Sequence, residues 1–156
     1  METLAKSDKW KMVSEIELVY RTAIRPSQRP QVSSSASAFQ ILLAGWNPDK
    51  IEFIEQFKVL LLSRSNRVLG QYELSTGGTT GTVVDVRLIF AAALKANASG
   101  IIIAHNHPSG TLAASQADRD ITKKVKEAGS ILEIPLLDHL ILTTEGYYSF
   151  ADQGML

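Results

Sequence analysis

Two histidines and an aspartate stand close together in the stretch HNHPSGTLAASQAD, residues 105–118. Side chains at positions i and i+2 of an extended segment point the same way, so His105 and His107 can reach one ion. Pro108 favours this geometry, because the residue before a proline is pushed out of the helical region. With Asp118, the set predicts a three-ligand metal site with a position open to water, which is typical of catalytic zinc.

The aspartate also has a purely structural explanation. Ser115 and Asp118 form a Ser-x-x-Asp step ahead of an apolar helical pattern, which is close to a capping box and needs no metal. The two explanations are compatible, since a cap would orient the helix that delivers Asp118. We favour the metal site because the histidine pair and the carboxylate occur together.

The composition excludes several classes of protein. The chain has 156 residues, enough for one domain with its own core, and no cysteine. Disulfide scaffolds, thiolate zinc sites, iron–sulfur clusters and cysteine nucleophiles are therefore excluded. Sixteen basic residues balance sixteen acidic ones, which argues weakly against binding to a DNA duplex. No export signal and no membrane-length apolar run is found, so we expect a cytoplasmic protein without a membrane partner.

The apolar patterns predict the elements that must position these residues. Their order is helix, strand hairpin, helix, strand, helix, strand hairpin, which predicts an α/β (α+β) domain with a mixed sheet flanked by helices. The predicted elements are a helix at 38–43 after the serine cluster 33–37, strands Phe57–Leu62 and Val68–Leu74, a helix capped by Asp85 and stopped near Gly100, a buried strand from Ile101 into His105, a helix opened by Ser115, and strands Leu136–Leu142 and Tyr147–Phe150.

The N-terminal part is predicted to be an extension, residues 1–30, ahead of a domain at 31–156. Apolar and polar residues alternate from Val13 to Tyr20, which predicts a half-buried edge strand. Residues 25–35 are rich in Pro and Ser and predict a loop. The glycine-rich residues 75–82 predict a second loop, which lacks the Lys-Ser/Thr ending of a phosphate-binding loop.

The motif HxHPxxxxxxSxxD, formed by His105, His107, Pro108, Ser115 and Asp118, resembles the JAMM motif of MPN-type metalloproteases. The longer HNHPSG, together with LLDHLIL at 136–142, resembles the bacterial RadC-like branch of that superfamily. The resemblance extends from about residue 33 to residue 156. It implies an MPN/JAMM-like fold, with a mainly antiparallel sheet and a cytidine-deaminase-like architecture.

The resemblance also implies roles for individual residues. It implies zinc held by the three ligands named above, and a glutamate at the head of the first central strand as general base. The register of that strand matches at Glu55, although Glu52 stays open from the residues alone. The hydroxyl of Ser115 would help to hold the oxyanion of the reaction. Manganese or iron in place of zinc also stays open.

Three further polar residues are candidates for supporting the ligands. Asn106 lies between the two histidines and should face the opposite side of the strand, as a turn residue or a partner of the ligands. Asp138 and His139 interrupt an apolar strand. A buried pair of this kind forms an internal hydrogen bond more often than a ligand set, and support of the metal ligands is the alternative.

Departures from the family pattern are few. RadC-like proteins usually have Asp in place of Ser63 and commonly Pro in place of Ala114; we interpret both as differences in stability and loop shape. The first 30 residues are too short for the helix-hairpin-helix region of longer RadC proteins. This removes the main reason to infer contact with nucleic acid.

The predicted function is a zinc-dependent hydrolase that attacks a peptide or isopeptide bond of a peptide or protein substrate with zinc-bound water. The alternative is a partner-binding or DNA-repair-associated MPN module without protease activity. Zinc deaminases need PCxxC ligands and zincins need HExxH, and both motifs are absent. The sequence does not separate a protease from a zinc nuclease, and it leaves homo-oligomer formation open.

Overall fold

A five-stranded sheet carries the helices of the protein. The computed structural model describes residues 12–77 and 83–156. The strands are β1 (Gln56–Leu62), β2 (Val68–Thr76), β3 (Gly100–Asn106), β4 (Leu136–Leu142) and β5 (Tyr147–Ser149). Their order in the sheet is β2-β1-β3-β4-β5; β3 pairs parallel with β4, and the other three pairings are antiparallel. This confirms the predicted mixed, mainly antiparallel sheet.

Three α-helices pack on the sheet: α1 (Ser35–Ala44), α2 (Val86–Lys95) and α3 (Gln116–Leu132). The predicted N-caps Asp85 and Ser115 are confirmed, since each side chain accepts a hydrogen bond from the first turn of its helix. α2 ends at Lys95, earlier than the predicted stop near Gly100. No helix in the described part of the chain combines the length and apolar character needed to cross a bilayer. A short 3-10 helix, Pro26–Gln28, precedes α1.

The sheet separates two apolar cores. One core lies on the α2 and α3 side and receives Ile101 and Ile103 from β3; the other lies on the α1 side and receives Ile102 and Ala104. Every residue of β1 and β3 is buried, as expected for strands covered on both faces. Successive side chains of a strand alternate between the two faces of the sheet. His105, at the end of β3, therefore points to the α3 side, and Asn106 points to the α1 side.

The N-terminal edge strand is not found. Residues 13–20 form no strand, and Ile16 and Leu18 are 84% and 76% exposed. A strand needs a neighbouring backbone to pair with, and alternation of residue types does not supply one. Here the contact with β2 is made by a side chain, since the Tyr20 hydroxyl donates to the Leu69 carbonyl. The division of the chain at residue 30 stays a prediction, and residues 78–82 of the glycine-rich loop lie outside the described residues.

Gly129 of α3 lies against the backbone that leads into β4. A Cβ added there would clash with the Ile134 carbonyl oxygen. Alanine in a helix is favoured over glycine by about 1 kcal/mol, but a clash with backbone cannot be relieved by a rotamer change, and overpacking costs about 1–3 kcal/mol. We therefore expect Gly129→Ala to lower the free energy of unfolding by about 2 kcal/mol in urea denaturation.

The matched control is Gly70→Ala, because a Cβ at Gly70 meets nothing within 4 Å. We expect this variant to unfold at nearly the wild-type urea concentration. Equal stability of the two variants would contradict the close approach at Gly129.

Candidate metal centre

Three side chains converge at the C-terminal end of β3. The Nε2 atoms of His105 and His107 are 3.0 Å apart; one carboxylate oxygen of Asp118 lies 3.2 Å from the first, and the other oxygen lies 3.6 Å from the second. A tetrahedral ion with bonds of about 2.0–2.1 Å separates its ligand atoms by roughly 3.3 Å. The structure thus brings the three predicted ligands together as a group that could hold a metal ion.

The backbone keeps the histidine pair extended beyond the end of β3. His105 pairs with Phe57 on one side and Ile141 on the other. The amide of His107 donates to the Leu142 carbonyl at 2.9 Å, which continues the parallel pairing with β4 for one more residue. The chain turns only after this point, where the Gly110 amide donates to the His107 carbonyl. Both imidazoles therefore project from the same side of the strand.

The loop after the histidines fixes the ring of His107. Its Nδ1 lies 2.6 Å from the carbonyl oxygen of Thr111. A carbonyl can only accept, so Nδ1 carries the proton and Nε2 keeps its lone pair when the ring is neutral. The loop thus folds back onto His107. His107 is consequently oriented for metal binding through Nε2.

Asp118 is both a capping residue and a member of the candidate metal centre. One carboxylate oxygen accepts from the Ser115 amide at 2.8 Å, and the Ser115 hydroxyl accepts from the Asp118 amide at 3.1 Å. Burial raises the pKa of Asp118, but the nearby imidazoles of His105 and His107 and the amide of Ser115 outweigh burial and hold this pKa well below its usual range. The contact with Asp118 in turn raises the pKa of His107 against the effect of burial. The carboxylate is therefore ionised at neutral pH.

His139 supports the buried side of the centre. Its Nε2 lies 2.8 Å from Nδ1 of His105, and its Nδ1 lies 2.6 Å from the hydroxyl of Thr122 on α3. The Phe150 ring stacks on it with centroids 4.7 Å apart. Burial, followed by the nearby His105, lowers the pKa of His139 well below its usual range. Sequence reasoning missed Thr122, although its position one helical turn after Asp118 places both on one face of α3.

Asp138 serves a different part of the molecule. Its carboxylate accepts from the amides of His139 and Ala151 and from the hydroxyl of Ser149. Burial raises the pKa of Asp138. The three bonds connect β4 to β5 and to the turn that follows it. The structure therefore does not bring Asp138 to the metal centre.

Asn106 connects the histidine strand to the segment that precedes β1. Its side-chain oxygen accepts from the Gln56 amide at 2.7 Å, and its NH₂ group donates to the carbonyls of Ile51 and Ile54 at 2.7 and 2.9 Å. The side chain is fully buried. As predicted, it faces away from the ligands. Its bonds fix the segment that contains the two candidate glutamates.

The two glutamates of that segment have different surroundings. Glu55 is half-buried and lines a cleft of about 620 Å³ together with His107. Its negative charge contributes to the raised pKa of His107. Glu52 is exposed, accepts a hydrogen bond of 2.9 Å from the Thr144 hydroxyl, and lines a smaller cavity of about 190 Å³ on another side of His107. Both glutamates thus lie near His107, but Glu55 faces the larger cleft and Glu52 is bound to the β4–β5 connection.

Comparison with known proteins identifies a family match over most of the chain. Residues 32–155 match the RadC-like JAB domain. Relatives include a UPF0758 protein of Flavobacterium johnsoniae, 50% identical over 127 residues. Others come from Thermosynechococcus vestitus, 44% identical over 130 residues, and Rubrobacter xylanophilus, 37% identical over 147 residues.

The matches cover more of this chain than of its relatives. They include 80%, 82% and 93% of this chain, but 53%, 50% and 63% of the three relatives in the same order. The chain thus spans between half and two thirds of the length of these proteins.

Removal of the Asn106 side chain should release the segment before β1. Asn106→Ala leaves two buried carbonyls and one buried amide without their hydrogen-bond partner. Each unpaired group lowers the stability of the fold by about 1–3 kcal/mol, and water that enters the space reduces this loss. We expect the free energy of unfolding to fall by about 3 kcal/mol in urea denaturation.

The control is Asn47→Ala, which removes one exposed hydrogen bond that the Asp49 amide donates to the side-chain oxygen of Asn47. Its effect should be well below 1 kcal/mol, roughly that of a solvated turn contact. If both variants lose the same stability, Asn106 is not the connection described here.

Proposed function

The chain belongs to the RadC-like JAB domain family, and from this and the geometry of its metal centre we propose a zinc-dependent hydrolase of the metallopeptidase type. The observation that carries the proposal is the convergence of His105, His107 and Asp118. Two imidazoles and one carboxylate suit zinc and leave room for a fourth, exchangeable ligand. Zinc bound here would lower the pKa of water to about 7 and polarise a substrate carbonyl.

Glu55 is the proposed general base. It would take a proton from the attacking water and pass it to the leaving nitrogen, so that one carboxylate serves both steps. Its support is its place in the cleft beside His107 and the fixed backbone around it. The Glu55 carbonyl accepts from the Gly77 amide at 2.9 Å, and Asn106 binds the residues on either side of it.

Ser115 is the proposed donor to the oxyanion that forms on the substrate carbonyl. Its hydroxyl oxygen accepts from the Asp118 amide, which leaves the hydroxyl proton for another acceptor. The residue is exposed at the start of α3. A hydroxyl fixed by a capping bond would need little reorganisation to stabilise developing negative charge.

The cleft favours a peptide over a nucleic acid as substrate. Its walls are formed by Phe53, Ile54, Glu55, His107, Pro108, Ser109, Thr111 and Ala113. None of these residues is a lysine or arginine, whereas sites for a phosphate backbone present cations. The aromatic and aliphatic walls suit the side chain of a peptide, and the bond proposed to be cleaved is a peptide or isopeptide bond.

The hydrogen bonds behind the two histidines favour an enzyme over a partner-binding module. Thr111 and His139 each bind the distal nitrogen of one histidine. A module that only binds partners has no need for oriented imidazoles converging on one point. A DNA-repair-associated or partner-binding module is the second candidate function. Such a module would cleave no peptide when it is loaded with zinc.

The substitution Glu55→Gln tests the general base. The amide keeps the size of the side chain but cannot take a proton, so we expect hydrolysis of a susceptible peptide by the zinc-loaded protein to fall by about 10²- to 10⁴-fold. Zinc content should stay at the wild-type value. Glu52→Gln is the matched control and should retain activity, because Glu52 is bound to Thr144 instead.

The substrates to assay are a mass-spectrometric peptide library, a lysine-linked isopeptide and single- and double-stranded DNA. Cleavage of peptide or isopeptide, lost in Glu55→Gln alone, is the expected result. Cleavage of DNA would contradict the peptide assignment. Zinc-loaded wild type that cleaves none of these substrates would favour the module without protease activity.

A further inference from the structure

A chain of buried hydrogen bonds joins two members of the metal centre from behind. Nδ1 of His105 contacts Nε2 of His139 at 2.8 Å, and Nδ1 of His139 contacts the Thr122 hydroxyl at 2.6 Å. The Thr122 hydroxyl also contacts the backbone carbonyl of Asp118. Since Asp118 and His105 meet again at the metal centre, the contacts form a closed ring of four residues.

The backbone carbonyl of Asp118 fixes the donor and the acceptor of each hydrogen bond in this ring. The Asp118 carbonyl can only accept, so the Thr122 hydroxyl must donate to it, as threonines commonly do one turn back in a helix. The hydroxyl has one proton, and it must therefore accept from His139. Nδ1 of His139 is consequently the protonated nitrogen, and Nε2 accepts from His105 when the His139 ring is neutral.

We propose that Thr122 and His139 are positioning residues that set the tautomer of His105 and so present its Nε2 lone pair to a metal ion. His105 must carry its proton on Nδ1 to satisfy His139. In the neutral ring its Nε2 is then unprotonated, and this nitrogen lies 3.0 Å from Nε2 of His107. The inference rests on the proposed metal site and adds to it the residues that orient its most buried ligand.

Packing also fixes the orientation of the two imidazoles in this ring. His139 and His105 are both fully buried, and Phe150 stacks on His139. The Phe57 ring lies parallel to His105 with centroids 6.0 Å apart. Rotation of either imidazole would break its hydrogen bonds and this packing together. Partners of this kind commonly raise metal affinity by orienting the ligand ring.

A hydrogen bond donated by His139 to His105 would have a different consequence. If His139 carried both protons, His105 would accept through Nδ1 and carry its proton on Nε2. A protonated Nε2 cannot bind a metal ion. The two cases are distinguished by the positions of the ring protons and by the effect of Thr122 on zinc affinity.

The substitution Thr122→Val tests the inference, because valine keeps the branched shape and removes the hydroxyl. We expect the dissociation constant for zinc, measured by competition with a chelator, to rise by about 10- to 100-fold. Thr122→Ser restores the hydroxyl and should bring the value back close to wild type. Ser149→Ala removes a buried hydroxyl that bonds to Asp138, outside the ring, and should leave zinc affinity unchanged.

Thermal unfolding of the zinc-free proteins separates folding from metal binding. A merely structural threonine would lower stability in Thr122→Val and leave the zinc affinity unchanged, and that result overturns the inference. Nitrogen-15 NMR of the zinc-loaded wild type should find the ring protons of His105 and His139 on Nδ1. A proton on Nε2 of His139 would overturn it as well. Wild type that binds no zinc would overturn the metal site together with the inference.

Discussion

The convergence of three electron-rich atoms is the constraint on which the structure depends. Two imidazole nitrogens and a carboxylate within 3.6 Å of one another repel each other unless a cation or a proton lies between them. Each is held from behind by a group of fixed direction: a carbonyl behind His107, the ring of His139 behind His105, and a backbone amide behind Asp118. The centre is therefore organised before any ion binds.

The sheet makes this arrangement possible because the two faces of β3 contact different parts of the protein. The parallel pairing with β4 places His139 beside Ile103, one pleat before His105 on the same face. On the opposite face, Asn106 binds the segment ahead of β1. One strand end thereby fixes the candidate metal ligands on one side and the segment of Glu55 on the other.

Local patterns in the sequence predict the ligand set and most of the elements, because HxH before proline and Ser-x-x-Asp before a helix act over a few residues. The bond from His139 to Thr122 joins residues 17 apart, and the contact depends on the register between β4 and α3, which no local pattern contains. The predicted edge strand at 13–20 was wrong for a related reason: alternation gives the faces of a strand but not its neighbour. Asp138 and His139 are adjacent in sequence, yet they serve different sites.

A crystal structure of the zinc-loaded protein, with anomalous data on both sides of the zinc absorption edge, would locate the ion. We expect one anomalous peak within about 2.0–2.2 Å of Nε2 of His105, Nε2 of His107 and a carboxylate oxygen of Asp118. The contacts of His105 with His139 and of His107 with Thr111 should stay intact. Zinc bound elsewhere, or imidazoles that break these contacts to reach it, would show that the three side chains are not a metal centre organised in advance.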